Sequence, residues 1–140
     1  MWFIYALLAA LTASLVAILG KLGLKNVDST LATTLRSLIM AVFLVFTSFF
    51  LGKLKPINFQ AFSSKDLLLL IFSGVAGALS WLFYFLALKV GLASRVGAID
   101  RTSLVFIVFL SALFLGESLT VKSVAGAVLM IVGAILISLK

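Results

Sequence analysis

Long uncharged apolar runs, interrupted by a few short clusters of charge, set the pattern of this chain. The first run, Trp2 to Gly20, contains no charged residue. Lys21, Lys25 and Asp28 then mark a short turn. A second run, about 29–52, carries one charge, Arg36, and Asp28, Ser29 and Thr30 supply side chains that can cap its N-terminus. The stretch from Lys53 to Lys65 is the longest polar segment and holds Pro56, the single proline. It is expected to be an interfacial loop with Phe59 and Phe62 dipping into the headgroup region. A third span, 66–88, is uncharged between Asp66 and Lys89. A fourth covers about 93–116. Its uncharged part, Thr102 to Gly116, is shorter than the roughly 20 residues a spanning helix needs. Asp100 and Arg101 are therefore expected inside the membrane end of this helix. A fifth span runs about 119–139, with Lys122 snorkelling at one end and Lys140 closing the other.

This pattern predicts an all-α integral membrane protein of five transmembrane helices joined by tight turns, forming a single domain over residues 1–140 with no soluble domain. The first run has no basic leading region and no small-residue cleavage site, so it reads as a span rather than a signal peptide. An odd number of spans places the two termini on opposite sides of the membrane.

Composition removes other classes. The chain has 140 residues, of which 64% are hydrophobic and 11% charged, with a mean hydropathy of +1.36. A soluble domain is about 45–50% apolar and about 25% charged, so this chain could not cover its own surface with polar groups. Disorder is excluded too, because it requires low hydrophobicity. There is no Cys and no His. Thiolate chemistry, the commonest general base and the commonest transition-metal ligand are all missing. The four carboxylates, Asp28, Asp66, Asp100 and Glu117, are scattered. No catalytic residue, metal site or cofactor is expected, and the chain does not read as an enzyme. The net charge of +7 would suggest nucleic acid in a soluble protein. Here the cations are spread through loops and read as topology anchors, so no nucleic-acid partner is expected.

The cations divide almost evenly. Lys53, Lys55, Lys65 and Lys122 fall on one side; Lys21, Lys25, Lys89, Arg95 and Lys140 fall on the other, with Arg36 and Arg101 in helices nearer that second side. The count favours a cytoplasmic C-terminus. It also leaves open dual insertion, and a chain that inserts both ways can form an antiparallel homodimer resembling an inverted-repeat transporter.

Ionisable groups within spans are costly and usually face a protein interior or an aqueous cavity. Arg36 and Asp100 each lie about 10 Å into their spans, counted from Ser29 and Ala93 at about 1.5 Å per residue, and both helices enter from the same side. An Arg36–Asp100 ion pair follows from that geometry, either as a gate or solute contact or as a neutralised pair that fixes packing. Arg101 can join the site or snorkel to headgroups. In span three, Trp81, Tyr84 and Phe85 share one face by i, i+3, i+4 spacing. They read either as an interfacial belt or as the wall of a cavity accepting an apolar or cationic solute by stacking. Gly126, Met130, Gly133 and Ile137 lie along one stripe of span five, suited to packing within the chain or to a dimer seam. Span one carries Thr12 and Ser14 but no carboxylate, so only Asp100 could serve proton coupling. Glu117 reads as a carboxylate favoured by a nearby helix N-terminus.

The segment from Gly91 to Gly133 resembles the EamA domain of the drug/metabolite transporter superfamily. The resemblance is carried by Gly91-Leu92-Ala93-Ser94, Ile99-Asp100-Arg101-Thr102-Ser103-Leu104-Val105-Phe106, and Leu113-Phe114-Leu115-Gly116-Glu117-Ser118-Leu119-Thr120, followed by Gly126, Leu129 and Gly133. Many relatives carry Pro two residues before the Asp, where this chain has Ala98. Most members have ten spans built from two five-span repeats, and this chain is similar to the short five-span bacterial and archaeal members. The resemblance implies half of a ten-helix inverted-repeat transporter, completed as a homodimer in a cell or inner membrane. It implies movement of a small metabolite or drug-like solute by alternating access, with export the expected direction and a cavity lined by spans one, three and four. The residues expected to line it are Thr12, Trp81, Tyr84, Asp100, Arg101 and Ser103. Two rival readings stand beside it: a non-transporting membrane subunit that stabilises another membrane protein, and half of a lipid-linked solute flippase.

Overall fold

The structure is a computed structural model in which residues 1–53 and 63–139 are described. The expected interfacial loop, with Pro56, Phe59 and Phe62, lies outside the described residues, as does Lys140. The described residues form helices and turns without strands. The helices are α1 (Trp2–Gly23), α2 (Ser29–Phe50), α3 (Ser64–Val90), α4 (Ala93–Asp100), α5 (Ser103–Leu115) and α6 (Val121–Ser138). Five segments are long and apolar enough to cross a membrane, α4 and α5 together making one of them, Ala93–Leu115. Their mean hydropathies run from 1.7 to 2.3.

Helix lengths fit a hydrocarbon core of about 30 Å. The 22 residues of α1 and of α2 reach about 33 Å each at 1.5 Å per residue. The 27 residues of α3 reach about 40 Å, so Asp66 and Lys89 ride inside its first and last turns. The 18 residues of α6 reach only about 27 Å, and apolar Leu119 and Leu139 flank them. Neither α4 (8 residues) nor α5 (13 residues) could cross alone.

Local chemistry explains the ends. Asp28 caps α2, its Oδ1 accepting from the Thr30 and Leu31 N–H groups at 2.8 and 3.1 Å. Gly116 closes α5 at a φ of +70°, a left-handed conformation that suits glycine, and the Gly116 and Glu117 N–H groups both return to the Ser111 carbonyl. The last helix starts two residues later than the hydropathy pattern suggests because Thr120 and Ser123 form a capping box, each side chain accepting from the other residue's backbone N–H. Glu117 therefore stands in the connecting segment and takes no part in that cap.

The chain divides into two compact units: Gly23–Lys89, and Met1–Leu22 with Val90–Lys140. In the first, α2 and α3 bury Leu24, Ser29, Thr33, Phe85 and Leu88, which gather near the α1–α2 turn. A lysine ties that end: Lys89 Nζ donates to the Val27 carbonyl at 3.1 Å. In the second unit, α6 packs on α4 and α5, and Lys21 Nζ donates to the Gly91 carbonyl at 2.8 Å. The buried positions of α6 are Ala127 and Ala134, with Met130 half-buried between them. Of the two readings of the glycine stripe, packing within the chain is not what is found: Gly126 and Ile137 are exposed, and a Cβ added at Gly126 or Gly133 would meet nothing within 4 Å. Alanine faces, rather than glycine faces, make the close contact here, because a methyl group fills the space that a bare backbone would leave open. The other large apolar side chains lie mostly on the outside, as lipid demands.

Candidate functional site

Arg36 in one unit and Asp100 in the other each lie within a spanning segment. Arg36 stands on α2, about two turns beyond its first residue, Ser29. Its guanidinium carbon lies 3.7 Å from the centroid of the Trp81 ring and 5.3 Å from that of Phe85. The rings form a connected wall on α3: Trp81 meets Tyr84 edge-on at 5.6 Å, and Phe85 stands 6.1 Å from Trp81 and 6.3 Å from Tyr84. The i, i+3, i+4 spacing brings these three rings together. Phe85 is 3% exposed and Trp81 and Tyr84 are half-buried, whereas Phe83, on the opposite face, is 65% exposed. The wall thus faces the protein, not the lipid.

The contact that sequence reasoning missed is Arg36 on Trp81. Its signal was matching depth. Arg36 lies about 10 Å from the start of α2 and Trp81 roughly 13 Å from the end of α3, on spans that run in opposite directions. A cation over the face of Trp gains on the order of 2 kcal/mol when desolvated. That attraction uses the flat face of the guanidinium and leaves its N–H edge open. Among the described residues, Arg36 makes no hydrogen bond and no ion pair.

Asp100 is the last residue of α4, and the fourth span breaks immediately after it. The break forms without the proline found in many relatives, since position 98 is Ala. Hydroxyls contribute instead: Thr102 Oγ1 donates to the Ile99 carbonyl at 2.7 Å, competing with the regular ladder. Backbone bonds tighten to i→i−3 across the break, with Thr102 N–H to Ile99, Leu104 N–H to Arg101 and Val105 N–H to Thr102 at 3.0, 3.2 and 3.0 Å. Asp100 is half-buried, and within its own unit it has no hydrogen-bond or ion-pair partner among the described residues. Arg101 and Ser103, on either side of Thr102, are exposed. Thr12 is exposed on α1, and its hydroxyl is turned back onto the Leu8 and Ala9 carbonyls at 2.9 and 3.0 Å. Arg36 and Asp100 belong to different units. Among the described residues no group of three acidic, His or Cys side chains could hold a metal ion.

Five segments long and apolar enough to cross a membrane among the described residues, with Arg36 and Asp100 inside two of them, define a multi-pass membrane protein. The chain belongs to the EamA-like transporter family, which matches residues 1–139. It is also 34% identical over 138 residues to a Sinorhizobium sp. protein described as an uncharacterized transporter in the cobO 3' region, an alignment covering 98% of this chain and 96% of that protein. No solved structure matches the chain.

Proposed function

We propose that this membrane transporter exports a small metabolite or drug-like solute by alternating access, as an antiparallel homodimer in the cell (inner) membrane with both insertion orientations populated. Two copies of one five-span domain would then supply the two inverted halves of a ten-helix carrier. The residues proposed to meet the solute are Thr12, Trp81, Tyr84, Asp100, Arg101 and Ser103. The chain acts without a cofactor and is not an enzyme.

The observation that carries this reading is the interrupted fourth span. The ladder tightens to i→i−3 bonds just after Asp100, and an ionisable group within a span usually faces a protein interior or a water-filled cavity. Asp100, unpartnered in its own unit at that break, suits a group that changes its contacts during a cycle. The Arg36–Asp100 pair expected from the sequence is tested by exchanging the two charges: recovery of activity by the double swap over each single swap supports it, and no recovery counts against it.

Water access tests the path itself. The chain has no Cys, so single cysteines can be placed at Tyr84, Gly97 and Ser103 without a prior deletion. Membrane-impermeant thiol reagents should label them from both faces of the membrane in turn. If none labels from either face, there is no solute path.

A further inference from the structure

We propose that Arg36, laid on the Trp81–Phe85 wall, recognises an anionic oxygen group, a carboxylate or a phosphate monoester, on a solute with an apolar body. This rests on the solute path proposed above and names the class of molecule that path accepts.

An aromatic wall at the edge of a cavity invites a cationic ligand, because ring faces are electron-rich. In this protein that position is taken. The Arg36 guanidinium carbon stands 3.7 Å from the Trp81 centroid, at stacking distance, with Phe85 at 5.3 Å. A second cation would have to displace the first and would meet its repulsion meanwhile. A stacked guanidinium also points its N–H donors sideways, in the plane of the group and away from the rings. None of those donors meets an acceptor among the described residues.

Within the same unit the two carboxylates cannot serve. Asp28 accepts from the Thr30 and Leu31 N–H groups, and Asp66 stands in the first turn of α3, at the far end from Trp81. A permanent cation at membrane depth with an empty donor edge is costly unless an acceptor arrives. The fork of the guanidinium fits two oxygens of one carboxylate or phosphate. Trp81, Tyr84 and Phe85 around it suit an apolar or aromatic remainder.

Fluorescence of Trp81 can read this directly. The chain has two tryptophans, so Trp2→Phe leaves Trp81 as the reporter. The protein is placed in phosphatidylcholine nanodiscs and titrated with 4-iodobenzoate or with 4-iodobenzylammonium, heavy-atom quenchers of matched size and opposite charge. We expect saturable quenching by the anion at a concentration about tenfold lower than by the cation. Arg36→Gln should reverse that preference by freeing the ring face, and Arg36→Lys, which keeps the charge but loses the fork, should retain the preference for the anion with weaker binding. Circular dichroism checks that each variant folds; should Arg36→Gln fail, the Arg36→Lys titration carries the test. Equal or stronger quenching by the cation in the Trp2→Phe protein, an unchanged preference in the folded variants, or no saturable quenching by 4-iodobenzoate would each overturn the proposal.

Doping the nanodiscs with phosphatidylglycerol separates two sources of the anion. A shift of the 4-iodobenzoate curve to higher concentration means that a lipid headgroup competes for Arg36, and an unshifted curve means a free solute; both support anion recognition. The cysteine scan fails independently. Labelled cysteines with a cation-preferring wall would overturn this inference alone, while anion binding with no labelled cysteine would overturn the solute path alone.

Discussion

Arg36 and Asp100 pose the same physical problem and meet it differently. Each lies about 10 Å into its span, where an ionised group is expensive. Arg36 is answered by its own unit, which presents the Trp81 and Phe85 ring faces. Asp100 is left without a partner in its unit and sits where the helix ends and restarts. The first arrangement needs no backbone change, because a ring quadrupole is a side-chain property carried by a regular helix. The second tightens the helix ladder to i→i−3 bonds just after the carboxylate. A charge tied to rings is a fixed element of the site; a charge at a backbone break is free to exchange partners.

Several substitutions can break or sharpen that contrast. The largest stability effect should come from Trp81→Ala, which removes a half-buried ring and the nearer of the two ring faces on Arg36. We expect a loss of about 2 kcal/mol, with Trp81→Phe keeping part of it, measured by reversible unfolding in mixed micelles. A loss no greater than for an exposed aromatic such as Phe83→Ala would mean that the rings do not hold Arg36. Next come the two lysine ties, one in each unit. Lys89→Met and Lys21→Met each remove a charged hydrogen bond to a carbonyl, of Val27 and Gly91, and each should cost about 1.5 kcal/mol. A cost from only one of them would show that the units are not anchored alike.

Asp100→Asn should do much less to stability. It removes a carboxylate that has no partner in its own unit, so the unfolding free energy should stay within about 0.5 kcal/mol of the parent, while any proton-coupled activity is lost. A large destabilisation would place Asp100 with the structural residues instead. The smallest effect concerns acid. The Asp28 carboxyl is held below its ordinary value of 3.8, first by the Leu31 N–H and then by the Thr30 N–H; desolvation opposes them and the Lys89 charge assists. A carboxyl lowered in the folded state contributes fully above its unfolded pKa and is lost as pH falls through the lowered value. Asp28→Ala should therefore run at a constant offset below the parent from about pH 5 to 8, and the two unfolding curves should converge only under stronger acid.

Much of the fold was legible because it is local. A spanning helix is a run of apolar residues of sufficient length, and the run carries its own evidence. The Asp28 cap was visible for the same reason, being a side chain two and three residues from the N–H groups it accepts. The shared face of Trp81, Tyr84 and Phe85 follows from helical spacing alone. The break after Asp100 was only half visible. The short uncharged run from Thr102 placed Asp100 at depth, but Ala98 removed the usual proline signal, and the competing hydroxyl of Thr102 is a weaker mark than a missing N–H. The packing face of α6 was misread because glycine spacing drew attention from Ala127 and Ala134, which differ from glycine by one methyl and make the contact.

By itself, then, the sequence determined that the chain is all-helical, that it offers five segments able to cross a membrane, and which charges lie within them, since hydropathy and length act along the chain. Only the tertiary structure decided that the ring wall holds the chain's own cation. Which side chain meets Arg36 depends on the helix that packs beside α2, and neighbours distant in sequence leave no periodic trace in either segment.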